Sequence, residues 1–429
     1  MSSEKRVVVT GMGILTPIGD NLDEYYNNLI AGKSGITEWR SLDTSNIRCK
    51  IGGDLGDYDY KAALTGLKEK MPEESFKKLK KILKTAPFST RLTSITAVRA
   101  YIDAGLFDVD IDRDRISAIL GGHNFHDNYI FENNKQFHEE PEYINGLMGI
   151  VVYDTDIIAT IAETLEIRGP VFSVGGTCTS TGLAMKQALR EIRHGDSVVS
   201  IAAGGILDYS PLGLQALILV SAISYKNFNE TPEKASRPYD RDREGFVPSH
   251  GSGVLIFEEL EHAKNRGAKI YAEVLEVESS SDANHLSNPS VEGQAKLMKK
   301  VMDKAGVRPE QIDYINMHAT STPMGDTIEI NSIKKAFGDH SKKLKVNGTK
   351  SMLGHAGWSA AAVESIAGIL QMNNSTLHPS INVDNIDPEI DIDVCANKKV
   401  ENYEIKYMLK NSFGFGGLNC CSLFKKYEN

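Results

Sequence analysis

Strand-like and helix-like segments alternate along this chain of 429 residues, and the alternation predicts an α/β fold with helices layered on sheet. Two observations support that class. Several apolar runs end in small or reactive residues and pass at once into a helical pattern, the mark of a strand feeding a helix. A hydrophobic content of 41% with 24% charged residues is ordinary for a large globular body. The length suits two or three domains, or one body of two similar halves.

Taken in order, the apolar run Val7–Val9 predicts the first strand, and residues 1–6 lead straight into it, so no signal peptide is expected. Apolar residues at helical spacing predict helices over Leu22–Ile30 and Ser94–Ala104, and Ile116–Leu120 reads as a strand. A helix over Asp156–Leu165 precedes a β-type stretch from Val171 and a helical stretch over Leu183–Ile192. Val198–Ala203 and Gly253–Phe257 read as strands, Glu292–Ala305 as a helix, Asp313–Met317 as a strand and Ala360–Met372 as a helix. The longest membrane candidate, Leu212–Ile223, is broken by Gln215 and Ser221 and is too short to span. Five cysteines without paired spacing argue against a disulfide framework and for a reducing, cytoplasmic setting, with Cys420 and Cys421 packed in a strand. A net charge of −9 disfavours nucleic acid and anionic membrane as partners.

Candidate chemistry begins with Cys178, in Val171-Phe-Ser-Val-Gly-Gly-Thr-Cys-Thr-Ser-Thr-Gly182. The order of residues places its thiol at a strand-to-helix turn, beside the free N–H groups of the helix. Their partial positive charge is expected to lower the thiol pKa. Taken alone, the residue reads equally as a nucleophile or as an inert buried thiol. Two histidines lie downstream: His318 ends the run Tyr314-Ile-Asn-Met-His, and His355 stands in Lys345-Val-Asn-Gly-Thr-Lys-Ser-Met-Leu-Gly-His-Ala-Gly357 with Lys350. Helices are expected to open near Asp326 and near Ser359. A single histidine is more often structural. Two at strand ends, with a candidate nucleophile upstream, point to a site, because ligands of α/β sheets gather beyond the strands' carboxyl ends.

These motifs carry a resemblance along nearly the whole chain. Arg6-Val-Val-Val-Thr-Gly-Met-Gly-Ile-Leu-Thr-Pro-Ile-Gly19, Gly32-Lys-Ser-Gly-Ile36, the Cys178 motif, Ser236-Arg-Pro-Tyr-Asp-Arg-Asp-Arg-Glu-Gly-Phe246, the two histidine motifs and Asn411-Ser-Phe-Gly-Phe-Gly-Gly417 occur in order. Together they resemble the elongating β-ketoacyl-acyl-carrier-protein synthases, the Cys-His-His condensing enzymes. The resemblance implies a thiolase-type fold of two similar halves in an α-β-α-β-α body, with the nucleophile in residues 1–250 and both histidines in residues 251–429. It also implies decarboxylative condensation of a Cys178-bound acyl group with malonyl-acyl-carrier-protein, in fatty-acid or related polyketide or polyene synthesis. His318 and His355 would act on the malonyl thioester, with Lys350 and Glu364 supporting them. The backbone N–H groups of Cys178 and Phe415 would form an oxyanion hole. Thr320 and Thr322 would bind the pantetheine arm, and Phe413 and Phe415 would line and gate the acyl site.

No metal and no separate cofactor are implied, the substrates being carried on phosphopantetheine. The implied partners are an acyl carrier protein and a second subunit, as a homodimer or a heterodimer with a related chain. Lys77, Lys78, Lys80, Lys81, Lys84 and Arg91 form the candidate docking patch for the carrier, or simply a solvated helix face. His123 and His126, in the polar and aromatic stretch 123–143, are close enough in sequence to share an ion. That stretch reads better as a dimer-facing or pocket-capping insertion, since no step above needs a metal.

The chain departs from the family pattern at several positions. Thr177 and Thr179 flank the nucleophile where alanine is usual, Ala319 replaces a glycine, Trp358 replaces a small residue, and Pro248-Ser249-His250 stands where an acidic residue is common. None removes a catalytic group, and the indole suggests a reshaped acyl pocket or subunit contact. Alternative functions are a thiolase-like enzyme, a malonyl decarboxylase that does not elongate, or a structural partner subunit. Cys178 with both histidines counts against the last.

Overall fold

The computed structural model describes residues 4–284 and 288–428. Ten strands form one sheet in the order Lys345–Asn347, Tyr314–Asn316, Tyr407–Gly414, Leu418–Lys425, Ala272–Ser281, Val7–Leu15, Ser252–Glu259, Val199–Gly204, Ile116–Gly121, Val171–Val174. The two central strands, Val7–Leu15 and Ala272–Ser281, pair antiparallel. Outward from each, the pairings run antiparallel, antiparallel, parallel, parallel on both sides. Each five-stranded half thus repeats the other about the central pair.

We propose that the chain is two such units. Strand Ser252–Glu259 pairs along its full length with Val7–Leu15 and also with Val199–Gly204, so it belongs to the first unit. This places the division between Glu259 and Ala272 instead of at residue 250, because strand pairing and not the preceding loop decides membership.

Two helices lie between the halves. Ser180–His194 packs on Ile116–Gly121 and Val199–Gly204 of its own unit and on Ala272–Ser281 of the other. Ala360–Asn374 packs on Tyr407–Gly414 and also on Ser252–Glu259 and Val199–Gly204. Outside, Phe88–Asp103 covers Val7–Leu15 and Ser252–Glu259, while Val291–Ala305 covers Ala272–Ser281 and Leu418–Lys425. The result is the expected α-β-α-β-α layering. Ala360–Asn374 is alanine-rich and buried at every position from Ala360 to Met372, as suits a helix that is apolar almost all round. Ser180–His194 ends at Gly195, whose φ of +90° supplies the left-handed stop.

The helices Leu22–Ile30 and Asp156–Leu165 span the residues expected of them, the first capped by Asn21 Oδ1, which accepts the Glu24 N–H at 2.9 Å. Several elements run longer than expected, Ser180–His194 and Ser252–Glu259 among them, and two extensions have a local cause. The first strand continues to Leu15 through Gly11 and Gly13, because a Cβ at Gly13 would lie 2.2 Å from the Thr96 carbonyl oxygen of the covering helix. That helix begins at Phe88, six residues before Ser94, and its first turns bury Ser89, Thr90 and Thr93, which hides the apolar period.

The loop after the first unit's helices clasps the second unit. Arg237 bridges Asp240 and Asp384, each at 3.0 Å, and Arg243 pairs with Asp387 at 2.7 Å while donating to the Thr322 and Pro323 carbonyls. All five cysteines are free, and the adjacent Cys420 and Cys421 pack into different apolar clusters on opposite faces of their strand. Among the described residues no helix is long and apolar enough to cross a membrane.

Gly121 ends its strand directly beneath the nucleophile helix, where a Cβ would sit 2.4 Å from Thr181 Cα and 2.5 Å from its nitrogen. Backbone cannot yield as a side chain can. Gly121→Ala is therefore expected to cost about 1–3 kcal/mol through overpacking, read as a lower urea midpoint. An unchanged midpoint would mean that the helix is not held against the strand in this way.

Candidate active site

A cavity of about 360 Å³ is lined by Cys178, His318, His355, Thr320, Thr322 and Phe413, among others. Its floor joins the two units: the cysteine comes from the first and both histidines from the second. One donor atom from each of Cys178, His318 and His355 lies within 4.8 Å of the others.

Cys178 sits in a single 3-10 turn, Thr177–Thr179, between strand Val171–Val174 and helix Ser180–His194. The turn is pinned by hydroxyls: Thr179 Oγ1 donates to the Gly176 carbonyl at 2.7 Å, and Ser180 Oγ accepts from Gly176 N–H and donates to the Thr177 carbonyl. Thr177, at a φ of +51°, donates through Oγ1 to the Phe415 carbonyl at 3.2 Å and so ties the nucleophile turn to the Gly414–Gly417 loop. Gly414 permits that approach, since a Cβ there would lie 2.2 Å from Thr177 Oγ1. Gly416 and Gly417 take φ values of +87° and +69°, which glycine alone adopts cheaply. The backbone N–H groups of Phe415 and of Cys178 itself favour the ionised form of the sulfur. The Phe415 ring is exposed, whereas Phe413 is buried edge-on to His318.

The expected low thiol pKa is overturned. Burial pushes Cys178 up to about 11, and the Lys350 charge and the two amides recover only part of that cost. Desolvation outweighs the field of the helix end, so at neutral pH the group is a thiol.

His318 follows strand Tyr314–Asn316. The carboxylate of Glu329 accepts the N–H groups of His318 and Ala319, both at 2.9 Å, and the amide of Asn411 at 3.0 Å. Ala319 has a φ of +35° and Ser321 one of +69°, which accounts for the usual glycine after the histidine; here Glu329 holds an alanine in the bend. Lys350 Nζ donates to the His318 carbonyl at 2.5 Å and lies 3.4 Å from Nδ1. His355 is held by its own N–H to the Val247 carbonyl at 2.7 Å, and its Nδ1 accepts the Gly357 N–H at 3.1 Å. With each Nδ1 facing a donor, both rings carry hydrogen on Nε2. Burial first, then the Lys350 charge, holds His355 well below the ordinary histidine range, and the same two causes act on His318, followed by His355 and Lys410. Both rings are neutral near pH 7.

Lys350 and Glu364 meet at 2.5 Å, each 1% exposed. Lys410 takes the other Glu364 oxygen at 2.7 Å. Thr320 and Thr322 lie on the cavity wall with their hydroxyls 3.0 Å apart, Thr322 also capping helix Pro323–Phe337. The three floor groups fit a metal ion poorly. Metal binding asks for a thiolate and unprotonated ring nitrogens, and the second shell sets up a thiol and Nε2–H donors.

Other expected residues lie apart. The docking candidates sit mainly on helix Glu73–Leu83 and contribute nothing to the cavity wall. Lys77 is paired with Glu73 and Lys78 with Glu166, while Arg91 donates to the Leu83 carbonyl and covers the Tyr60 ring. Lys80, Lys81 and Lys84 are exposed without an ion pair among the described residues. His126 bonds Asp156 at 3.0 Å, but His123 turns away to stack on Trp358 at 4.6 Å, so the two histidines do not converge. Trp358 is half-buried, and its carbonyl accepts the Thr181 hydroxyl. His250 packs between Trp39 and Phe88 and accepts the Leu55 N–H. Sequence reasoning missed Glu329, Lys410 and the Gly357 amide. A lysine inside the apolar strand Tyr407–Gly414 was the available signal for one of them.

The chain is similar to known proteins along nearly its whole length. Family models described as the beta-ketoacyl synthase N-terminal and C-terminal domains match residues 4–263 and 271–384. A protein of Coxiella burnetii named 3-oxoacyl-[acyl-carrier-protein] synthase 2 is 35% identical over 97% of both chains. One of the same name from Vibrio cholerae is 35% identical over 99% of this chain and all of its own. Among solved structures, a type II polyketide synthase ketosynthase, in complex with its acyl-carrier protein and bound to a hexaketide, superposes at a TM-score of 0.85 with 27% identity. The ishigamide ketosynthase/chain length factor reaches 0.88 with 26% identity. Both cover 99% of this chain and all of their own.

Because burial raises the thiol, the rate of Cys178 alkylation by iodoacetamide should still be climbing at pH 9 and approach its plateau only toward about 11. Peptide mass mapping separates it from the four buried cysteines. A plateau below pH 8 would overturn the burial argument.

Proposed function

The chain belongs to the beta-ketoacyl synthase family, and we propose that Cys178, His318 and His355 carry its reaction. It is a condensing enzyme of the transferase class, which elongates an acyl chain by condensation with malonyl-acyl-carrier-protein in fatty-acid synthesis. The polyketide neighbours fit the same chemistry. The observation that carries the residue assignment is the convergence of one thiol and two neutral Nε2–H donors at the floor of one cavity.

In the first step the Cys178 sulfur attacks the acyl thioester, and its proton ends on the released pantetheine thiol. The N–H groups of Cys178 and Phe415 receive the oxygen of the tetrahedral intermediate. In the second step the malonyl thioester loses CO2. His318 and His355 donate their Nε2 hydrogens to the thioester oxygen, where the negative charge of the enolate collects. The departure of CO2 leaves the electron pair on carbon, so no general base is needed. In the third step that carbon attacks the Cys178 thioester, the carbon–sulfur bond breaks, and the departing thiolate takes a proton from water.

Lys350 orients His318 through its carbonyl, and Glu364 fixes Lys350. Thr320 and Thr322 offer hydroxyls to the pantetheine arm along the wall. The Gly414–Gly417 loop, with Phe415 exposed, is the element suited to gate the acyl site. We assign an acyl carrier protein as partner, with Lys80, Lys81 and Lys84 the part of the basic helix left open to its acidic surface. A second subunit against the 123–153 segment, a cytoplasmic setting and the absence of a separate cofactor complete the reading. The segment exposes Phe137, Tyr143, Ile150 and Tyr153.

Intact mass of the carrier protein tests these roles. Cys178→Ala should abolish the product two carbons longer yet still convert malonyl to acetyl carrier protein. His318→Ala and His355→Ala should each slow decarboxylation by about 10²–10³. Elongation by Cys178→Ala would remove the nucleophile from this assignment.

A further inference from the structure

Glu364 is the one carboxylate on a helix otherwise buried among apolar and small side chains, and it meets two lysines instead of one. Lys350 Nζ lies 2.5 Å from Oε1, and Lys410 Nζ lies 2.7 Å from Oε2. All three are 1% exposed. Lys410 also donates to the Asn411 carbonyl. The mechanism above uses Lys350 and Glu364 and leaves Lys410 without a task.

We propose that Lys410 is a positioning residue of the condensing site: by sharing Glu364 it leaves Lys350 with uncompensated positive charge directed at His318 and the reacting oxygen. A lone Lys350–Glu364 pair would be neutral and would project little field. With a second cation on the same carboxylate the triad carries a net positive charge behind the histidines. Low dielectric makes such a charge act strongly at this range.

The groups packed around this triad are Glu329 and Asp326 on helix Pro323–Phe337, the first satisfied by two backbone N–H groups and Asn411, the second accepting the Tyr239 and Ser321 N–H groups and pushed up to about 6 by burial, and the Cys178 thiol. On the remaining sides are the Cys420 and Cys421 thiols and the Tyr25 and Tyr314 hydroxyls, all pushed up by burial. Lys350 and Lys410 are the cations among them, and each holds both imidazoles below their ordinary range. Removing Lys410 removes a repelling charge, so His318 and His355 should take up protons at higher pH than before. A proton arriving at Nδ1 would displace the Lys350 or Gly357 donor and turn the ring from its aim.

This inference rests on the proposed roles of the two histidines, so its test has a readout that does not need turnover. Histidine Cε1 signals are followed by NMR against pH in the resting enzyme, for the wild type, Lys410→Met and Lys410→Gln. Both variants should move the His318 and His355 titrations upward by about one pH unit. In malonyl decarboxylation, both should move the acid limb the same way and lower kcat with KM little changed. Unmoved titrations in a folded variant would overturn the proposal whatever the activity. So would wild-type behaviour of Lys410→Gln, which would assign Lys410 to hydrogen bonding alone. Should Lys410→Met fail to fold, Lys410→Gln, which keeps a donor for Glu364 and Asn411, carries the test. Inactivity of the wild type toward malonyl carrier protein, with the titrations shifted as expected, would count against the condensation reading and not against the charge.

Discussion

The site depends on one buried carboxylate. Glu364 sits on helix Ala360–Asn374, which the two halves of the sheet enclose, and an uncompensated charge there would cost several kcal/mol. Lys350 and Lys410, from a different short helix and a different strand, must therefore converge on it. Lys350 then reaches the His318 carbonyl, and the strand bearing Lys410 leads directly into the Phe413–Gly417 loop. The ion triad adds little net stability compared with a well-packed apolar group, but removal of one partner typically costs about 3–5 kcal/mol. It also fixes placement, since the three elements satisfy these buried charges by meeting at Glu364.

The same enclosure sets the electrostatics. Burial raises the thiol and lowers both imidazoles, so the resting site is uncharged on its floor and positive behind it. That pattern suits a reaction in which negative charge appears on a thioester oxygen and disappears again. Two preset neutral donors stabilise such a charge without a proton having to move.

Several departures from the family pattern acquire physical reasons. Thr177 uses its hydroxyl to join the nucleophile turn to the glycine loop, and Ala319 keeps a bend that glycine would adopt more easily because Glu329 grips the adjoining amides. Trp358 stands on the turn that follows His355, and the Cys178 turn occupies the matching place in the other unit. The two turns are in contact. The indole stacks on His123 instead of lining the cavity, so its influence falls on the rear of the nucleophile turn.

The sequence by itself determined the α/β class, several elements to within a few residues, and Cys178, His318 and His355 as candidates, because periodicity and glycine-rich turns are local properties of the chain. The supporting roles of Lys350 and Glu364 came from the resemblance to the family's motifs. The sequence hid the start of helix Phe88–Asp103, where buried hydroxyls break the apolar period, and the reach of the first strand, where glycines stand for a close helix. It placed the boundary between the halves at residue 250, whereas strand pairing puts Ser252–Glu259 with the first. Only the tertiary structure decided the height of the Cys178 pKa, the tautomers of the two histidines, and the part taken by Glu329 and Lys410. Most of these follow from desolvation and from partners ten or more residues away; even the Gly357 amide, two residues from His355, meets Nδ1 only because the turn after the histidine brings it back.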